Sequence, residues 1–533
     1  MTRWVMVADL ERCVGCQTCT AACRHANATS PAVQWRRVLD VEVGDYPYVS
    51  RTFVPVGCQH CADPPCMHVC PSTATRRRPD GIVTIDYDIC IGCAYCDVAC
   101  PYQARFKLDA PRFAYGKSAT ESELAREQPE RMGVAQKCTF CSDRIDFGLA
   151  NGLVPGQDPR ATPACVNACI ADALHFGDLD DPNSNVSRLL REQHSFRMHE
   201  ELGTEPGFYY VYESVRGSDR DPNPHSVLVA NTGRAGSIRA RGIEPSHQQH
   251  WDWKAAGNFA CGGLGSGLFL FVAMATLRHQ SWYQAGWFAL GAVALGLFLV
   301  FLKIGRPWRF LYVLRQPQRS WMTREAYVAA VFFPAGIVGT WLENAALMLF
   351  AAFVGLLFLF SQAMILYEAK GIPAWRTSFI IPLIIGTGVT EGGGLFLVLN
   401  AALQWQGPAV ELTAVAVAML AALRGWIWRS YLTALLIEGA PLRALDALER
   451  FRPWFLVLGL IAPLLLIALG LVVTSATMPL FALSGLLIAA AGVALKFVLV
   501  TRAGWNQGFA LKHTPARGTG AAGPGVKPGW SGP

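Results

Sequence analysis

The hydrophobic residues of this 533-residue chain are unevenly distributed. As far as about residue 250, apolar and polar residues are mixed over short distances, whereas long apolar runs follow one another beyond it. Runs of this length can cross a bilayer as helices, and a soluble core would not repeat buried helices of such length so often in succession. The pattern predicts eight transmembrane helices, at residues 258–277, 285–302, 326–342, 345–367, 378–399, 409–436, 454–474 and 478–500.

The polar half contains an internal repeat. The stretches DLERCVGCQTCTAAC and DYDICIGCAYCDVAC, at residues 9–23 and 86–100, align along their whole length. Each follows a short apolar run, WVMVA or GIVTI, which favours a β-strand. Self-similarity of this kind indicates repeated structural units. The sequence therefore predicts an α+β domain made of two duplicated modules, followed by an all-α membrane bundle.

Cysteine is concentrated in the polar half, which holds 16 of the 17 cysteines. Four groups are present: Cys13, Cys16, Cys19 and Cys23; Cys58, Cys61, Cys66 and Cys70; Cys90, Cys93, Cys96 and Cys100; and Cys138, Cys141, Cys165 and Cys169. Three thiolates at i, i+3 and i+6 suit an iron–sulfur cubane, while a fourth can reach a neighbouring cluster. Structural zinc sites and disulfides explain this spacing less well, so the groups predict paired [4Fe–4S] clusters.

These groups, with KCTFCSDRI at 137–145 and PACVNACIADALHFGDLDDPNS at 163–184, resemble the iron–sulfur subunits of the dimethyl sulfoxide (DMSO) reductase superfamily of molybdenum oxidoreductases. The resemblance covers about residues 1–215 and implies a bacterial-ferredoxin-like fold with four [4Fe–4S] clusters. The implied ligand sets are Cys13, Cys16, Cys19 and Cys169; Cys23, Cys138, Cys141 and Cys165; Cys58, Cys61, Cys66 and Cys100; and Cys70, Cys90, Cys93 and Cys96.

The residue after the last cysteine differs between the four groups. Pro71 and Pro101 follow the last cysteines of the second and third groups, as in bacterial ferredoxins, whereas Arg24 and Ile170 occupy that position in the other two groups. A row of four clusters shortens each electron hop across the domain, so electron transfer is the expected function. The molybdopterin catalytic subunit is expected to be a separate chain, because no further substantial domain remains here to hold the pterin.

The membrane half resembles the haem-free anchor subunits of the same superfamily. GNFACGG at 257–263, LKIGRPWRFL at 302–311 and RSWMTREAYVA at 319–329 carry this similarity. Beyond residue 255 the histidines are His279 and His513, one in a loop and one in the tail. Because a membrane cytochrome needs histidine ligands inside its helices, we expect no haem and direct electron transfer to a quinone, either menaquinone or ubiquinone.

The quinone site is expected at one end of the bundle. Glu325 opens the third predicted helix and Lys303 closes the second, so both can stand beside the quinone carbonyls and serve its protons. The resemblance implies a glutamate and a histidine at these positions, and Lys303 replaces the histidine. Arg306, Trp253 and Asn258 are further candidates for quinone binding. The alternative is that Glu325 and Lys303 only anchor the helix ends at the interface.

Glu391, Arg424 and Arg429 are ionisable residues that fall inside the predicted helices. Glu391 and Arg424 stand at similar depth and could pair, and either a structural ion pair or a proton path would explain them. The remaining cysteine, Cys261, lies among small residues that favour close helix packing.

The net charge is +7, and the basic residues crowd the loops between apolar runs, which favours a topological role over nucleic-acid binding. One side holds Arg239, Arg241, Lys254, Lys303, Arg306, Arg309, Arg315, Arg319, Arg324, Lys370, Arg376, Arg443, Arg450 and Arg452, and the other essentially Arg278. The N-terminus shows no secretory or twin-arginine signal. We therefore expect the iron–sulfur domain to face the cytoplasm from a bacterial inner membrane, unlike that of the polysulfide and DMSO reductases.

The expected organisation is a four-cluster domain at 1–230, a linker at 231–254, an eight-helix quinone-binding anchor in membrane lipid at 255–505 and a disordered tail at 506–533. Such a chain would pass electrons between a molybdopterin catalytic subunit and the quinone pool. Substrate oxidation with quinone reduction is favoured, for example of sulfite or a CoA thioester. Alternatives are a quinol-oxidising subunit of a reductase and a proton-translocating respiratory component.

Overall fold

The computed structural model describes residues 2–43, 50–214, 239–241, 243–277, 282–403, 408–511, 515 and 526–530. The chain forms two compact units, of which the first combines Met1–Ser246 with Asn506–Pro533 and the second is His247–Trp505. The C-terminal residues thus group with the first unit, whereas the sequence analysis set them apart as a tail. Linker residues 231–238, with Arg278, His279 and His513, lie outside the described residues.

The first unit contains eleven strands within its described residues. They are β1 (Trp4–Asp9), β2 (Arg36–Val43), β3 (Ser50–Gly57), β4 (Thr75–Arg77), β5 (Val83–Ile85), β6 (Phe106–Lys107), β7 (Ala135–Gln136), β8 (Leu174–Asp178), β9 (Gln193–Phe196), β10 (Phe208–Ser214) and β11 (Arg239–Arg241). The largest sheet has the order β8-β1-β10-β9, with β1 parallel to β10 and antiparallel to β8. The strands predicted before the first and third cysteine groups are confirmed as β1 and β5.

Seven helices accompany these strands: α1 (Thr18–Asn27), α2 (Pro65–His68), α3 (Tyr95–Val98), α4 (Glu121–Leu124), α5 (Ser142–Ala150), α6 (Ala164–Asn167) and α7 (Asn185–Glu192). The single-turn helices α2, α3 and α6 each carry one cysteine, respectively Cys66, Cys96 and Cys165. Strand β1 is buried along its whole length because its apolar residues face both layers of the unit. Seven of the cysteines lie in the same apolar core as this sheet: Cys19, Cys23, Cys58, Cys61, Cys100, Cys138 and Cys165.

The second unit is helical. Its helices are α8 (Trp253–Thr276), α9 (Tyr283–Phe301), α10 (Trp321–Trp341), α11 (Ala345–Tyr367), α12 (Pro373–Arg376), α13 (Ile380–Ala402), α14 (Pro408–Glu438), α15 (Leu442–Leu456), α16 (Ala462–Val472) and α17 (Thr477–Thr501). A π-helical turn at Val457–Ile461 joins α15 to α16, and a 3₁₀ segment at Pro307–Arg315 precedes α10.

Seven helical segments of the described chain are long and apolar enough to cross a membrane. They are α8, α9, α11, α13, α14, the continuous α15–α16 segment and α17. Helix α10 coincides with the third predicted span, but it is less apolar than these segments because polar residues such as Arg324 and Glu325 lie near its start. The chain is therefore a multi-pass membrane protein, and the predicted number of eight spans is not confirmed by apolarity alone.

Helix α8 lies at the centre of the bundle and packs against α9, α11, α13 and α17. Glycine makes its approach to α13 possible, because a Cβ at Gly267 would clash with the carbonyl of Gly388 and lie 3.1 Å from the Cα of Gly392. Small residues let helix backbones come this close inside a membrane. The packing role expected for the glycines around Cys261 follows from this geometry.

Candidate iron–sulfur and quinone sites

The cysteine loops of the two repeats have the same backbone shape. Gly15 and Gly92 have φ of 70° and 72°, and Gln17 and Ala94 have φ of 63° and 59°, at matching positions of the repeats. These left-handed residues turn the loop tightly around the cysteines, and successive turned amides form concave sites that suit anionic iron–sulfur clusters. Backbone amides already approach sulfur elsewhere, since Ala173 N lies 3.2 Å from Cys169 Sγ.

The cysteines form no disulfide bonds with one another. Cys23 interacts electrostatically with Cys138, Cys141 and Cys165, and the Asn27 amide nitrogen lies 3.7 Å from Cys23 Sγ and 3.8 Å from Cys141 Sγ. The structure therefore brings together one complete set of predicted ligands. No three His, Cys, Asp or Glu side chains of the described residues lie close enough to hold a single ion.

Two further sets are also drawn together. Cys61 interacts with Cys58, Cys66 and Cys100. In the same way Cys96 interacts with Cys70, Cys90 and Cys93. Both of these sets lie within the core, except that Cys93 is half-buried.

The remaining set, Cys13, Cys16, Cys19 and Cys169, is the most accessible. Cys13 and Cys19 are buried next to each other, whereas Cys16 is exposed and Cys169 is half-buried. Val14 and Ile170, beside these cysteines in sequence, are 53% and 72% exposed. Two exposed apolar side chains thus lie beside cysteines of this set.

Burial favours the neutral thiol form of these cysteines over the charged thiolate form. It raises the pKa of Cys93 to about 12, with Cys70 and Cys90 adding to the effect, and it raises the pKa of Cys138 to about 12 against the opposing influence of Arg36. A buried thiol keeps its proton unless a positive centre stabilises the thiolate. Iron would supply that positive charge, so the donor set fits an iron–sulfur cluster.

Three fully buried cations stand among the thiols. Arg105 Nη2 lies 2.8 Å from Cys66 Sγ, and Lys137 donates to the carbonyls of Cys138 and Val83. Although burial lowers the pKa of Arg105, the sulfurs of Cys66 and Cys96 raise it overall. Buried charges require compensation. Anionic thiolate-ligated clusters would provide it for these cations.

Arg36 gives the sharpest test of that fit. It is buried, and its Nε and Nη1 have no hydrogen-bond partner among the described residues. Its guanidinium interacts with Cys165, Cys138, Cys19 and Cys23, so the sulfurs of two predicted clusters surround it. Unpaired buried donors are costly and call for an acceptor. Cluster sulfurs at these positions would be such acceptors, and the sequence analysis missed the role of Arg36.

The helical unit brings part of the predicted quinone site together. Glu325 on α10 and Asn258 on α8 are both 5% exposed. The side chains of Asn258 and Gln362 lie close to the Glu325 carboxyl, and Gln362 Nε2 donates to the backbone carbonyl of Asn258 at 3.2 Å. Glu325 Oε1, Asn258 Oδ1 and Gln362 Oε1 have no partner among the described residues.

Gln362 was missed by the sequence analysis. It is fully buried on α11, and its amide side chain within an otherwise apolar predicted span was the available signal. Asn258, Glu325 and Gln362 form what we call the amide–carboxyl pocket. Asn258 and Glu325 lie near the N-terminal ends of α8 and α10, whereas Gln362 lies near the C-terminal end of α11. Because these helices alternate in direction, all three residues lie at one end of the bundle.

The other predicted quinone residues, Lys303, Trp253 and Arg306, have different surroundings. Lys303 Nζ lies 3.9 Å from Asp252 Oδ1 and 5.7 Å from the centre of the Trp251 ring. Trp253 is 56% exposed, and Arg306 directly precedes the 3₁₀ segment. The Lys303 ammonium therefore lies near the residues that precede α8.

The pairing suggested for the intramembrane charges is corrected by the structure. Glu391 pairs with Lys496, whose Nζ lies 2.6 Å from Glu391 Oε2. Arg424 instead donates to the carbonyls of Gly459 and Ile488, at 2.6 and 3.3 Å. The sequence analysis overlooked Lys496, although a lone lysine within the last apolar run was visible. Arg429 lines a separate cavity between α13 and α14.

Known proteins that are similar to this chain include iron–sulfur domains and subunits of oxidoreductases. A family model described as a 4Fe-4S dicluster domain matches residues 49–115. The chain is 43% identical over 225 residues to the iron–sulfur subunit of the putative dimethyl sulfoxide reductase of Halobacterium salinarum, covering 40% of this chain and 79% of the relative. It is 40% identical over 227 residues to a selenate reductase subunit of Mesobacillus selenatarsenatis, covering 39% and 72%. A sulfite dehydrogenase subunit of Allochromatium vinosum is 37% identical over 227 residues, covering 40% and 83%.

Proposed function

The chain belongs to the family of iron–sulfur subunits of molybdopterin oxidoreductases, and on this premise we propose that it passes electrons between a separate catalytic subunit and the membrane quinone pool. The observation that carries the proposal is the fusion of four cysteine groups with seven membrane-length apolar helices. When bound, the [4Fe–4S] clusters supply one-electron transfer in series. The helical unit anchors the chain and binds quinone.

The catalytic substrate belongs to the partner. Relatives of this chain are named as subunits acting in sulfite dehydrogenation and in selenate or dimethyl sulfoxide reduction. We favour substrate oxidation with quinone reduction, of sulfite or a CoA thioester. The named reductases favour, as a second candidate, a subunit that oxidises quinol. Assays of the purified complex distinguish the two directions. Substrate oxidation would reduce quinone, whereas substrate reduction would oxidise quinol.

Four [4Fe–4S] clusters are proposed, each held by one of the four ligand sets. The proximity of three complete sets and the unpaired donors of Arg36 support this number. We expect about sixteen irons and as much acid-labile sulfide per chain, because each cubane contains four of both. Half that iron content, or stoichiometric zinc, would contradict the assignment.

The surface around Cys16 and Cys169 is proposed as the place where the catalytic subunit docks. The set containing Cys16 is the most accessible of the four, and exposed Val14 and Ile170 lie beside its cysteines. Electron transfer between subunits needs the shortest possible gap, and an apolar surface favours association. The other three sets are shielded within the core.

Eight membrane crossings are proposed, with α10 as the additional one. Residues at the two ends of the helical unit meet, because His247 and Trp505 form a β-bridge and Gln248 N donates to the Gly504 carbonyl at 2.9 Å. A bundle whose two ends lie together on one side crosses the membrane an even number of times. The seven apolar segments therefore call for one more crossing, and α10 has the length for it.

Quinone is proposed to bind at the amide–carboxyl pocket. Glu325 would donate or accept the proton of a quinone oxygen, while the amides of Asn258 and Gln362 orient that oxygen. The unpaired oxygens of the three side chains support the proposal, since buried polar groups without partners are costly and suit a polar ligand. Lys303, Arg306 and Trp253 would lie at the rim.

The substitution Glu325→Gln tests the pocket. Electron flow to quinone should fall by a factor of roughly 100 or more, because the group that carries the proton is lost. The clusters should remain reducible by dithionite. The control is Glu343→Gln, an exposed carboxyl beyond the other end of α10, which should leave quinone turnover unchanged. Normal turnover in the Glu325 variant would discard the site.

A further inference from the structure

The helical unit contains an ion pair that the quinone site itself does not use. Lys496 on α17 and Glu391 on α13 are 2.6 Å apart, and both side chains are fully buried. Ion pairs inside a membrane bundle lose their hydration, which makes them costly to keep for structure alone. An intramembrane pair of this kind is a candidate functional site.

The charges around the pair do not balance. Arg424 is also buried and interacts electrostatically with Glu391, so three ionised groups carry a net charge of +1. Loss of one proton from Lys496 would leave the group neutral. Glu391 Oε1 and Arg424 Nε have no hydrogen-bond partner among the described residues. The Cys261 thiol on α8 is a further titratable group that interacts with Lys496 and Glu391.

Two adjacent glycines of α8 connect this pair to the amide–carboxyl pocket. A Cβ at Gly262 would lie 2.5 Å from Gln362 Nε2. A Cβ at Gly263 would clash with Lys496 Nζ and lie 2.7 Å from Glu391 Oε2. The Gln362 amide and the Lys496 ammonium therefore lie against consecutive residues of one helix. Gln362 therefore lies close both to Glu325 and to the part of α8 that contacts the pair.

We propose that Lys496 and Glu391 form an internal proton-exchange site for Glu325. The inference rests on the proposed quinone function and deepens it. The Lys496–Glu391 site lies between α8, α13 and α17. From there it would reprotonate the buried Glu325 carboxyl. The Arg424 cation compensates Glu391 while Lys496 is neutral.

The chemistry balances with quinone as the electron acceptor. Quinone takes two electrons from the iron–sulfur domain and two protons to become quinol. In each proton transfer the Glu325 O–H bond breaks and a quinol O–H bond forms. A Lys496 N–H bond then breaks and Glu325 regains its proton across the Gln362 side chain, with water completing the path. Solvent water returns the proton to Lys496. During quinol oxidation every transfer runs in reverse.

The neutral double variant Glu391→Gln/Lys496→Met tests the proposal. It removes both charges at similar volume, which a purely structural pair tolerates well. We expect quinone turnover to fall by roughly 100-fold, with a larger solvent isotope effect and a changed pH profile, because general acid–base groups contribute on this scale. The clusters should still be reduced by dithionite. Unchanged turnover and pH profile in a folded double variant would overturn the proposal.

Infrared difference spectra supply a readout that does not depend on turnover. Reducing the quinone in the intact chain should give a Glu325 carboxyl signal, together with an amine or carboxyl signal from the pair. The pair's signal should disappear in the double variant. The same spectrum in both proteins would show that the pair exchanges no proton and would overturn the proposal.

A milder variant guards against misfolding. Gly263→Ala displaces the Lys496 ammonium, whereas the matched change Gly291→Ala on α9 meets open space. The first should slow quinone turnover and change its pH profile, and the second should not. Equal behaviour of the two variants would overturn the proposal. If the unmodified chain itself fails to reduce or oxidise quinone, the proposed function fails as well.

Discussion

At the scale of single residues, buried charge is what distinguishes the first unit. Arg36, Arg105 and Lys137 are fully buried in a core that also holds the cysteine sulfurs. Cations in such a core lower the free energy of negatively charged neighbours, and hydrogen bonds to cluster sulfurs raise the reduction potential. We therefore expect these residues to tune the clusters as well as to stabilise the fold.

Arg105→Met should lower the reduction potential of the cluster held by the Cys66 set. A hydrogen bond to a charged group contributes about 1.5–3 kcal/mol, so for one electron the fall should be at most on the order of 100 mV. Redox titration followed by electron paramagnetic resonance measures it. Arg188→Met, at an exposed arginine of α7, is the control. Identical potentials in both variants would show that Arg105 has no such role.

At the scale of elements, the C-terminal segment is part of the first unit. Phe509, Leu511, Val526 and Trp530 are buried, and Trp530 Nε1 donates to the Gln507 carbonyl at 2.7 Å. His199 Nε2 lies 3.0 Å from the Gly508 carbonyl. The segment is polar and rich in glycine and proline, a composition that does not reveal such anchoring. Its few aromatic and aliphatic residues make the contacts.

Trp530→Ala should destabilise the first unit. Removing a buried aromatic side chain costs about 3–5 kcal/mol, which corresponds to a fall of roughly 6–20 °C for a unit of this size. Loss of the iron–sulfur absorbance on heating reports the transition. Tyr115→Ala, at a side chain that is 86% exposed, should change it little. Equal effects of the two substitutions would mean that the C-terminal segment does not stabilise the unit.

At the scale of the whole molecule, the eight proposed crossings would bring both connections to the first unit to one side of the membrane. We expect that side to be the cytoplasm, because the basic loops of the sequence would lie there and positive residues are retained on that side. A cytoplasmic substrate for the catalytic partner follows from this orientation.

Protease accessibility in sealed, right-side-out vesicles tests the orientation. The linker at 231–250 should resist protease added from outside and be cleaved when the vesicles are opened. A reporter on the loop after α8, near Arg278, is the control and should be accessible from outside. Cleavage of the linker in closed vesicles would place the iron–sulfur domain on the outer side instead.

The sequence by itself determined the class of the protein, because the signals involved are local. Cysteine spacing, the repeat and the length of apolar runs depend on neighbours along the chain, and they predicted the iron–sulfur fold, the strands β1 and β5 and most membrane helices. Glu325 and Asn258 were also identified from local motifs.

Only the tertiary structure decided which polar groups meet. Gln362 and Lys496 are visible in the sequence as polar residues within apolar runs, but the groups that they and Arg36 meet are far away in sequence, so no local pattern could show those contacts. Glu391 pairs with Lys496 rather than Arg424 because glycines on α8 and α17 make room for the two side chains between the helices. Close packing of helices at glycine positions arises only in the assembled bundle, and it determines the contact between Glu391 and Lys496.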